Sequence, residues 1–394
     1  MTFEQPAPLS RETQFVAACC RWPQNEGARI AVRNAISQIT DWEQVEQVCR
    51  RHRVVGLVHN ALREQPGVPA EFSATIKLGA QKIAVNAARQ AQEAVRLETL
   101  MRENAIASVQ FKGPSLSQIA YGTLGIKRSK DLDILVSAQD VPTALKLLEG
   151  SNYSIGRTQA PISAQLSDAL IRHRNQIELI DPYGMIIELH WQLANAPGLL
   201  PDIERQMSTQ TVTLEGYGQI TTLADADLFA YLCQHGALHD WARLRWLVDV
   251  AALYFSKGDD VIAPLMKAAH SKGAGLAAEQ AQLLCHHLFA TPAPTAVSAR
   301  TRQLTDYALH RIEAPYTRER VFEKIGFNAR RWWMQRHFYP NSRTALGLLK
   351  VHRASLDDII AMPLPAHLDW LYPILRLPRW AMRRALRPSA LPTK

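Results

Sequence analysis

The sequence predicts an α+β fold in which a small strand-bearing core lies between two helical regions. Helical periodicity marks residues 10–104 and the chain from Leu223 onward, whereas short segments rich in branched and aromatic residues lie between them. A turn that contains Pro and Gly separates two of these segments and predicts a hairpin. We therefore predict a helical region at 1–105, a core at 106–205, and a helical region at 206–394 that ends in a basic, aromatic tail.

The composition excludes several classes of protein. The 394 residues are 47% hydrophobic and 21% charged, with 19 Gly and 22 Pro, which excludes a wholly disordered or fibrous chain. No apolar run approaches the roughly 18 residues that span a bilayer, and the N-terminus lacks the pattern of a signal peptide. We expect a cytoplasmic protein whose five cysteines, which show no CxxC spacing, are reduced and mostly buried.

The chain is basic. Its 45 Lys and Arg against 36 Asp and Glu give a formal net charge of +9. The electrostatic field of such a positive net charge attracts nucleotides and polyanions in general. No zinc-finger or RNA-recognition signature accompanies the charge, so nucleic-acid binding is permitted but not specifically indicated.

Two amphipathic helical stretches are predicted before the core. In the first, Val45, Val48 and Cys49 recur at three- and four-residue steps, which is typical of one helix face. The second extends from about Pro69 to Arg102 and is rich in Ala, Gln, Glu and Lys.

The elements of the core alternate in type. Branched and apolar residues predict its strands, and helical periodicity predicts its helices. In chain order we expect a strand at 105–111, a helix at 115–121, a strand at 131–136, a helix at 140–150, and strands at 176–180 and 185–191. The last two strands flank the turn Asp-Pro-Tyr-Gly at 181–184, which predicts that they form the hairpin.

Acidic residues within these strands form the main chemical signal. Asp131 and Asp133 are two residues apart, so on a strand they project from the same face and can share a metal. Glu188 adds a third acid within a strand that is otherwise largely apolar. A bare Asp-x-Asp is about as often an exposed strand end as a functional pair, but three acids favour a metal site.

The turn that follows the first strand is a candidate phosphate site. Gly113 allows a close backbone approach, and a helix that begins at Pro114 presents free N–H groups. Ser115 supplies a hydroxyl and Lys112 a positive charge. An ordinary helix start with a solvent-facing lysine is the alternative interpretation of this turn.

Taken in order, these features resemble the polymerase-beta-type nucleotidyltransferase domain. The closer resemblance is to a bacterial family of uncharacterised nucleotidyltransferases, and it covers most of residues 40–255. The residues that resemble the family are FKGPSL at 111–116, YG at 121–122, KRSKDLDILV at 127–136, ELHW at 188–191, and more weakly the helical stretch 233–249.

The resemblance implies a role for each candidate residue. Asp131, Asp133 and Glu188 would hold two Mg²⁺ ions, with Mn²⁺ as the alternative, and Lys112, Gly113, Ser115, Lys127 and Arg128 would bind the nucleotide. The sequence departs from the family pattern at two points. Pro114 removes one backbone donor from the turn, and Lys127 stands where an arginine is expected, so the charge is kept without the forked geometry.

The reaction that the resemblance implies is nucleotidyl transfer. An acceptor hydroxyl attacks the α-phosphorus of an NTP such as ATP, takes the nucleoside monophosphate and releases pyrophosphate. The acceptor is left open among a sugar, an antibiotic, a peptide, a protein and RNA. Two other interpretations are a catalytically silent nucleotide-binding or scaffold protein of the same fold, and a toxin-like transferase that acts on tRNA.

Three histidines are candidates to support the metal ligands. His190 lies two residues after Glu188 and is placed to orient it. His235 and His239 are four residues apart and share a helix face, for which a packed face near the site is the favoured interpretation.

Other signals are expected to be structural. Trp241 and Trp246 favour core packing over stacking on a base. Asp240 and Asp249 can cap a helix, form a salt bridge with Arg243 or Arg245, or deprotonate an acceptor, and we favour the salt bridge or the cap.

Aromatic and arginine residues are mixed at 330–336 and in the tail at 370–387. Such stretches dock on anionic lipid or RNA, or cover their own core as amphipathic helices. We favour the second interpretation.

Overall fold

The computed structural model describes residues 9–156, 161–194, 199–200, 203, 206–258, 261–314, 329–339 and 354–375. Its helices are α1 (Arg11–Cys19), α2 (Glu26–Ile36), α3 (Trp42–His52), α4 (Val55–Leu62), α5 (Ala70–Glu103), α6 (Pro114–Tyr121), α7 (Val141–Gly150), α8 (Ala164–His173), α9 (Asp225–Leu238), α10 (Leu244–Lys257), α11 (Ile262–Ser271), α12 (Gly275–Phe289), α13 (Ala299–Glu313) and α14 (Leu356–Ala361). Its strands are β1 (Ser108–Gln110), β2 (Leu132–Val136), β3 (Ser154–Ile155), β4 (Gln176–Ile180), β5 (Ile186–His190), β6 (Thr209–Leu214) and β7 (Gly218–Leu223).

The predicted α+β fold is confirmed. Each helix and strand predicted for the core is present, with ends that differ from the prediction by a few residues. Strands β5, β4 and β3 are neighbours in this order and pair antiparallel.

The chain divides into two compact units. The first comprises 1–134 and 200–340, and the second comprises 135–199 and 341–394. The three sequence regions 1–105, 106–205 and 206–394 stay a prediction.

The first unit begins with helices that have well-formed N-termini. Ser10, Asn25 and Asp41 cap α1, α2 and α3, where each side chain accepts a hydrogen bond from a backbone N–H of the first turn. The predicted long helix is α5, whose 34 residues bury a face that is rich in alanine. Small side chains on that face allow α5 to pack against α3 and α4.

The later helices of the first unit form its largely apolar core. Helix α9 packs against α10, α11 and α12. Trp241 is completely buried, and its Nε1 donates to Gln280 Oε1 at 2.9 Å, so the predicted core role of this tryptophan is confirmed. All five cysteines are buried and free, as expected from their spacing.

The predicted hairpin is formed by β4 and β5. The strands are antiparallel, with Gln176 opposite His190 and Glu178 opposite Glu188. Asp181 fixes the turn, because its Oδ1 accepts hydrogen bonds from the N–H groups of Tyr183 and Met185 at 2.9 and 2.7 Å.

A second hairpin, β6–β7, corrects the predicted C-terminal helical region, in which no strand was expected at 206–223. The two strands are antiparallel and form their own two-stranded sheet. Their only strongly buried apolar side chains are Val212, Leu214, Ile220 and Leu223, which alternate with threonines and glutamines. Because so few apolar residues mark these strands, their pattern is weak in the sequence.

The second unit places helices beside the hairpin. Helix α8 packs against α7 and α14. From α8, Arg172 donates to Asp369 Oδ2 at 3.0 Å and to the Leu364 carbonyl at 2.7 Å, so a charged side chain ties the C-terminal residues to this helix.

The aromatic and basic stretch at 330–336 is docked on its own chain. Gln335 Nε2 donates to the Leu238 carbonyl at 2.6 Å, and Arg331 forms an ion pair with Asp240 at 2.8 Å. The C-terminal tail beyond residue 375 lies outside the described residues. Among the helices that are described, none combines the length and the apolar character that crossing a bilayer requires.

Candidate active site

The turn between β1 and α6 has the geometry that its glycine permits. Gly113 precedes α6 with φ 63° and ψ −128°, a left-handed conformation that strains any residue with a side chain. Pro114 is the first residue of the helix, where its missing N–H has no cost. The predicted strand, turn and helix are therefore present.

The hydroxyl of Ser115 is directed into this turn. Ser115 is completely buried, and its Oγ lies 2.7 Å from the carbonyl oxygen of Gln110 and 3.0 Å from that of Lys112. In this arrangement the hydroxyl stabilises the turn. A hydrogen bond to a phosphate, as predicted, would require it to leave these carbonyls.

Lys112 pairs with the second predicted metal ligand. Its Nζ lies 2.8 Å from Asp133 Oδ1, and the side chains are 19% and 2% exposed. The ammonium also lies 5.3 Å from the ring centres of Phe111 and Tyr231. Burial lowers the pKa of Lys112, but the carboxylate of Asp133 and the hydroxyl of Tyr231 more than offset this, so its pKa is raised and the lysine stays charged.

The two aspartates differ in their surroundings. Asp133 is buried as the second residue of β2, whereas Asp131 is half-buried just before the strand. The chain is held there by Ser129, whose Oγ donates to the backbone carbonyl of Asp131 at 2.9 Å.

Lys127 and Arg128, the other predicted phosphate-binding cations, have different environments. Lys127 forms a nearly buried ion pair with Asp249, with Nζ 2.9 Å from Oδ2 and side-chain exposures of 9% and 5%. Tyr121 donates its hydroxyl to the other oxygen of Asp249 at 2.8 Å. The predicted pairing of Asp249 with Arg243 or Arg245 is therefore wrong, and Lys127 is already bound to a carboxylate. Arg128 is exposed.

His235 and His239 lie in an aromatic stack that begins beside Lys112. His235 is stacked on Tyr231 with ring centres 5.5 Å apart, and His239 is stacked on Trp246 at 4.8 Å. Burial, with a further contribution from Lys112 and nearby arginines, lowers the pKa of His239 to about 4. A neutral, stacked ring fits the packed helix face that we favoured from the sequence.

In the second unit, Glu188 and His190 lie on β5. Gln176 on the neighbouring strand donates its Nε2 to Glu188 Oε2 at 2.8 Å, and His190 Nε2 lies 3.6 Å from the same oxygen. His190 is buried, and Glu188 is 21% exposed. Ile187, Leu189 and Trp191 are buried, which agrees with the apolar opposite face expected of this strand.

A protein-family model described as an uncharacterised nucleotidyltransferase matches residues 38–290, more than half of the chain. The chain belongs to this family. The family resemblance predicted from the sequence is thus confirmed, and the protein is a nucleotidyltransferase enzyme.

This nucleotidyltransferase was also compared with curated proteins and with solved structures. No curated protein matches the sequence. Among solved structures, the chain is similar to the crystal structure of an antigenic nucleotidyltransferase-like protein from Paracoccidioides brasiliensis. The TM-score is 0.28 and the identity 11%, over 54% of this chain and 96% of that one.

Several residues around Lys112 and Lys127 of this nucleotidyltransferase were not predicted from the sequence. Tyr121 was noted only for its resemblance to the family, yet it shares Asp249 with Lys127. Tyr231 was not singled out, although its ring lies beside the ammonium of Lys112. No local pattern indicates either contact, because each joins residues that are distant in sequence.

The buried pair in this nucleotidyltransferase predicts a large effect on stability. We expect Lys127→Met to lower the free energy of unfolding by about 3 kcal/mol, since it leaves the buried carboxylate of Asp249 with only its tyrosine partner. The double variant Lys127→Met with Asp249→Asn removes both charges and should recover much of this loss. Denaturant unfolding of the three proteins measures both effects, and equal stability of wild type and Lys127→Met would contradict the assignment.

Proposed function

We propose that this nucleotidyltransferase uses divalent metal, Mg²⁺ or alternatively Mn²⁺, to move a nucleoside monophosphate from an NTP to an acceptor hydroxyl. One observation carries the proposal: on β5, Glu188 Oε2 and His190 Nε2 lie 3.6 Å apart, so that both side chains can offer a ligand atom to one metal. Asp133, which is buried on β2 beside the ammonium of Lys112, is proposed as a further ligand.

The chemistry of these ligands suits the proposed metals. Carboxylate oxygens are preferred by Mg²⁺ and Mn²⁺, and an imidazole is compatible with Mn²⁺ and the later transition metals. His190 is added to the predicted ligands because it lies beside Glu188 on β5. We therefore propose Asp133 and Glu188 as the central ligands, with Asp131 and His190 at the margin of the site. We propose that two metal ions bind, as predicted from the sequence.

Each side chain has a part in the proposed transfer. When bound, the metal would supply positive charge to the entering and leaving oxygens. Lys112 keeps its ammonium beside Asp133 and so lies where a phosphate can approach it. Gly113 and Ser115 stabilise the turn. Glu188 would bind the metal that activates the acceptor hydroxyl.

The acceptor is proposed only as a class of groups with a free hydroxyl: a sugar, an antibiotic, a peptide, a protein or RNA. The net charge of +9 favours anionic acceptors in a general way. A catalytically silent scaffold is the alternative, but a scaffold has no need of the strand acids Asp133 and Glu188.

One experiment tests the function and finds the acceptor. Cell lysate is incubated with the protein, Mg²⁺ and isotopically labelled NTPs, and metabolites, proteins and RNA are analysed by mass spectrometry. We expect a labelled nucleotidyl adduct that is absent with EDTA and absent with the variant Asp131→Asn, Asp133→Asn. An adduct of equal amount with that variant would overturn the proposal.

Lys112→Met tests the contact with phosphate. Methionine keeps much of the apolar stem but removes the charge, so we expect NTP affinity to fall at least about tenfold, or about 1.4 kcal/mol, with little change for the nucleoside. Calorimetric titration with ATP and with adenosine compares the two. Equal losses, or no loss for either, would assign Lys112 a structural role only.

A further inference from the structure

Three arginines are gathered in the first unit where α3 ends and α10 begins. His52, the last residue of α3, is completely buried, and its Nδ1 accepts a hydrogen bond from the backbone N–H of Leu244 at 3.1 Å. Arg53 follows His52, while Arg243 and Arg245 flank Leu244. One buried hydrogen bond thus joins the two chain segments that carry all three guanidinium groups.

The protonation state of His52 preserves this hydrogen bond. Burial, with a contribution from Arg51 and Arg243, lowers the pKa of His52 to about 3. The ring is therefore neutral at any ordinary pH and remains able to accept the hydrogen bond from Leu244.

The arginines are accessible and held in place. Arg53, Arg243 and Arg245 are half-buried, and Arg128 is exposed. The guanidinium carbons of Arg243 and Arg245 lie 5.8 and 5.4 Å from the ring centre of Trp246. Contact with the ring of Trp246 restrains the positions of these two guanidinium groups.

These arginines repel one another. Burial lowers the pKa of Arg53, the charges of Arg245, Arg243 and Arg128 add to the decrease, and Asp131 opposes it, so that together they bring the pKa to about 10. Positive charge is therefore concentrated near Asp131, one of the two predicted metal-binding aspartates. A bound anion would reduce the repulsion among the arginines.

Without such a cluster, the triphosphate has few cationic partners. Of the groups predicted to bind it, Lys127 is paired with Asp249 and the hydroxyl of Ser115 lies against carbonyls of its own turn. Lys112 is shared with Asp133. The predicted site therefore offers little positive charge for the β- and γ-phosphates.

We infer that Arg53, Arg243 and Arg245, joined by Arg128, form the site that binds the polyphosphate part of the NTP. The inference rests on the proposed function and names side chains that the sequence analysis assigned to no ligand, apart from Arg128. Forked guanidinium groups bind phosphate oxygens in pairs, which compensates for the lysine that stands where the family pattern has an arginine.

Calorimetry with inorganic tripolyphosphate, in Mg²⁺ and in EDTA, tests the site without a base. We expect Arg53→Gln and Arg245→Gln each to weaken tripolyphosphate binding about tenfold or more, and Arg245→Lys to recover only part of the loss. Arg29→Gln, an exposed arginine on α2, is the control with the same change of net charge. Thermal unfolding of each variant confirms that the fold is kept.

Three outcomes would overturn the inference. Tripolyphosphate affinity within twofold of wild type in both glutamine variants is one, and an equal loss in Arg29→Gln is another. A loss of affinity for an RNA oligonucleotide with unchanged tripolyphosphate binding is the third, since it assigns the arginines to an RNA acceptor. Transfer that still depends on Asp133 in these cases leaves the proposed function standing, whereas absence of metal-dependent transfer in the wild type contradicts that function itself.

Discussion

Asp133→Asn is expected to abolish nucleotidyl transfer, lowering kcat/KM more than about 10³-fold. The carboxylate is 2% exposed on β2, belongs to the proposed metal-binding group and lies 2.8 Å from the ammonium of Lys112. Asparagine keeps the shape but removes the charge that binds metal, and metal stabilisation of the transition state is worth several kcal/mol. Titration of the variant with NTP in Mg²⁺ should show the affinity that wild type has in EDTA.

Loss of folding must be separated from loss of metal in this variant. Asp133→Asn leaves Lys112 without its carboxylate partner and is expected to reduce stability as well. The double variant Lys112→Met, Asp133→Asn removes both charges, so it should regain stability but not activity. Asp140→Asn, at a half-buried aspartate before α7, is the matched control and should remain active. Turnover within tenfold of wild type in Asp133→Asn would contradict the metal site.

Glu188→Gln is expected to separate binding from chemistry. We predict a fall in turnover of about 10³-fold, or about 4 kcal/mol, while the affinity for Mg-NTP changes less than about threefold. The reason is that Glu188 is proposed to act on the side of the acceptor hydroxyl. Gln176 donates to Glu188 Oε2 at 2.8 Å, and a glutamine at this position can still accept that bond, so the melting temperature should change little.

The register of the hairpin supplies the control for Glu188. Glu178 lies directly opposite Glu188 on the antiparallel partner strand, so Glu178→Gln makes the same chemical change on the same sheet. Pyrophosphate release, measured once the acceptor is known, should fall far less in Glu178→Gln. Turnover of Glu188→Gln within about tenfold of wild type would exclude Glu188 as a ligand and make Glu178 or Asp181 the next candidate.

Local sequence patterns determined the backbone of the core. Branched and apolar residues located β5, and the Pro and Gly of the turn at 181–184 located the hairpin that joins it to β4. Gly113 and Pro114 located the start of α6, since glycine permits the positive φ of the turn and proline fixes φ at the first helical position. The weakly apolar hairpin β6–β7 was not predicted, because threonine and glutamine alternate there with few hydrophobic residues.

Partners of charged side chains were decided by the tertiary structure. From the sequence, Asp249 was given a neighbour on its own helix, but α6 and α10 pack together and bring Tyr121 and Lys127 to it instead. The hydrogen bond between His52 and Leu244 likewise gathers Arg53 with Arg243 and Arg245.

The physical difference lies in the range of the forces. Backbone conformation follows from steric and hydrogen-bonding preferences within a few residues, so the sequence alone determined where the strands, the turn and the acids of the core lie. An ion pair depends on the distance between two side chains after distant elements have packed, and no local pattern specifies that distance. Only the tertiary structure could therefore decide that Lys127 supports the core and that arginines from α3 and α10 concentrate positive charge near Asp131.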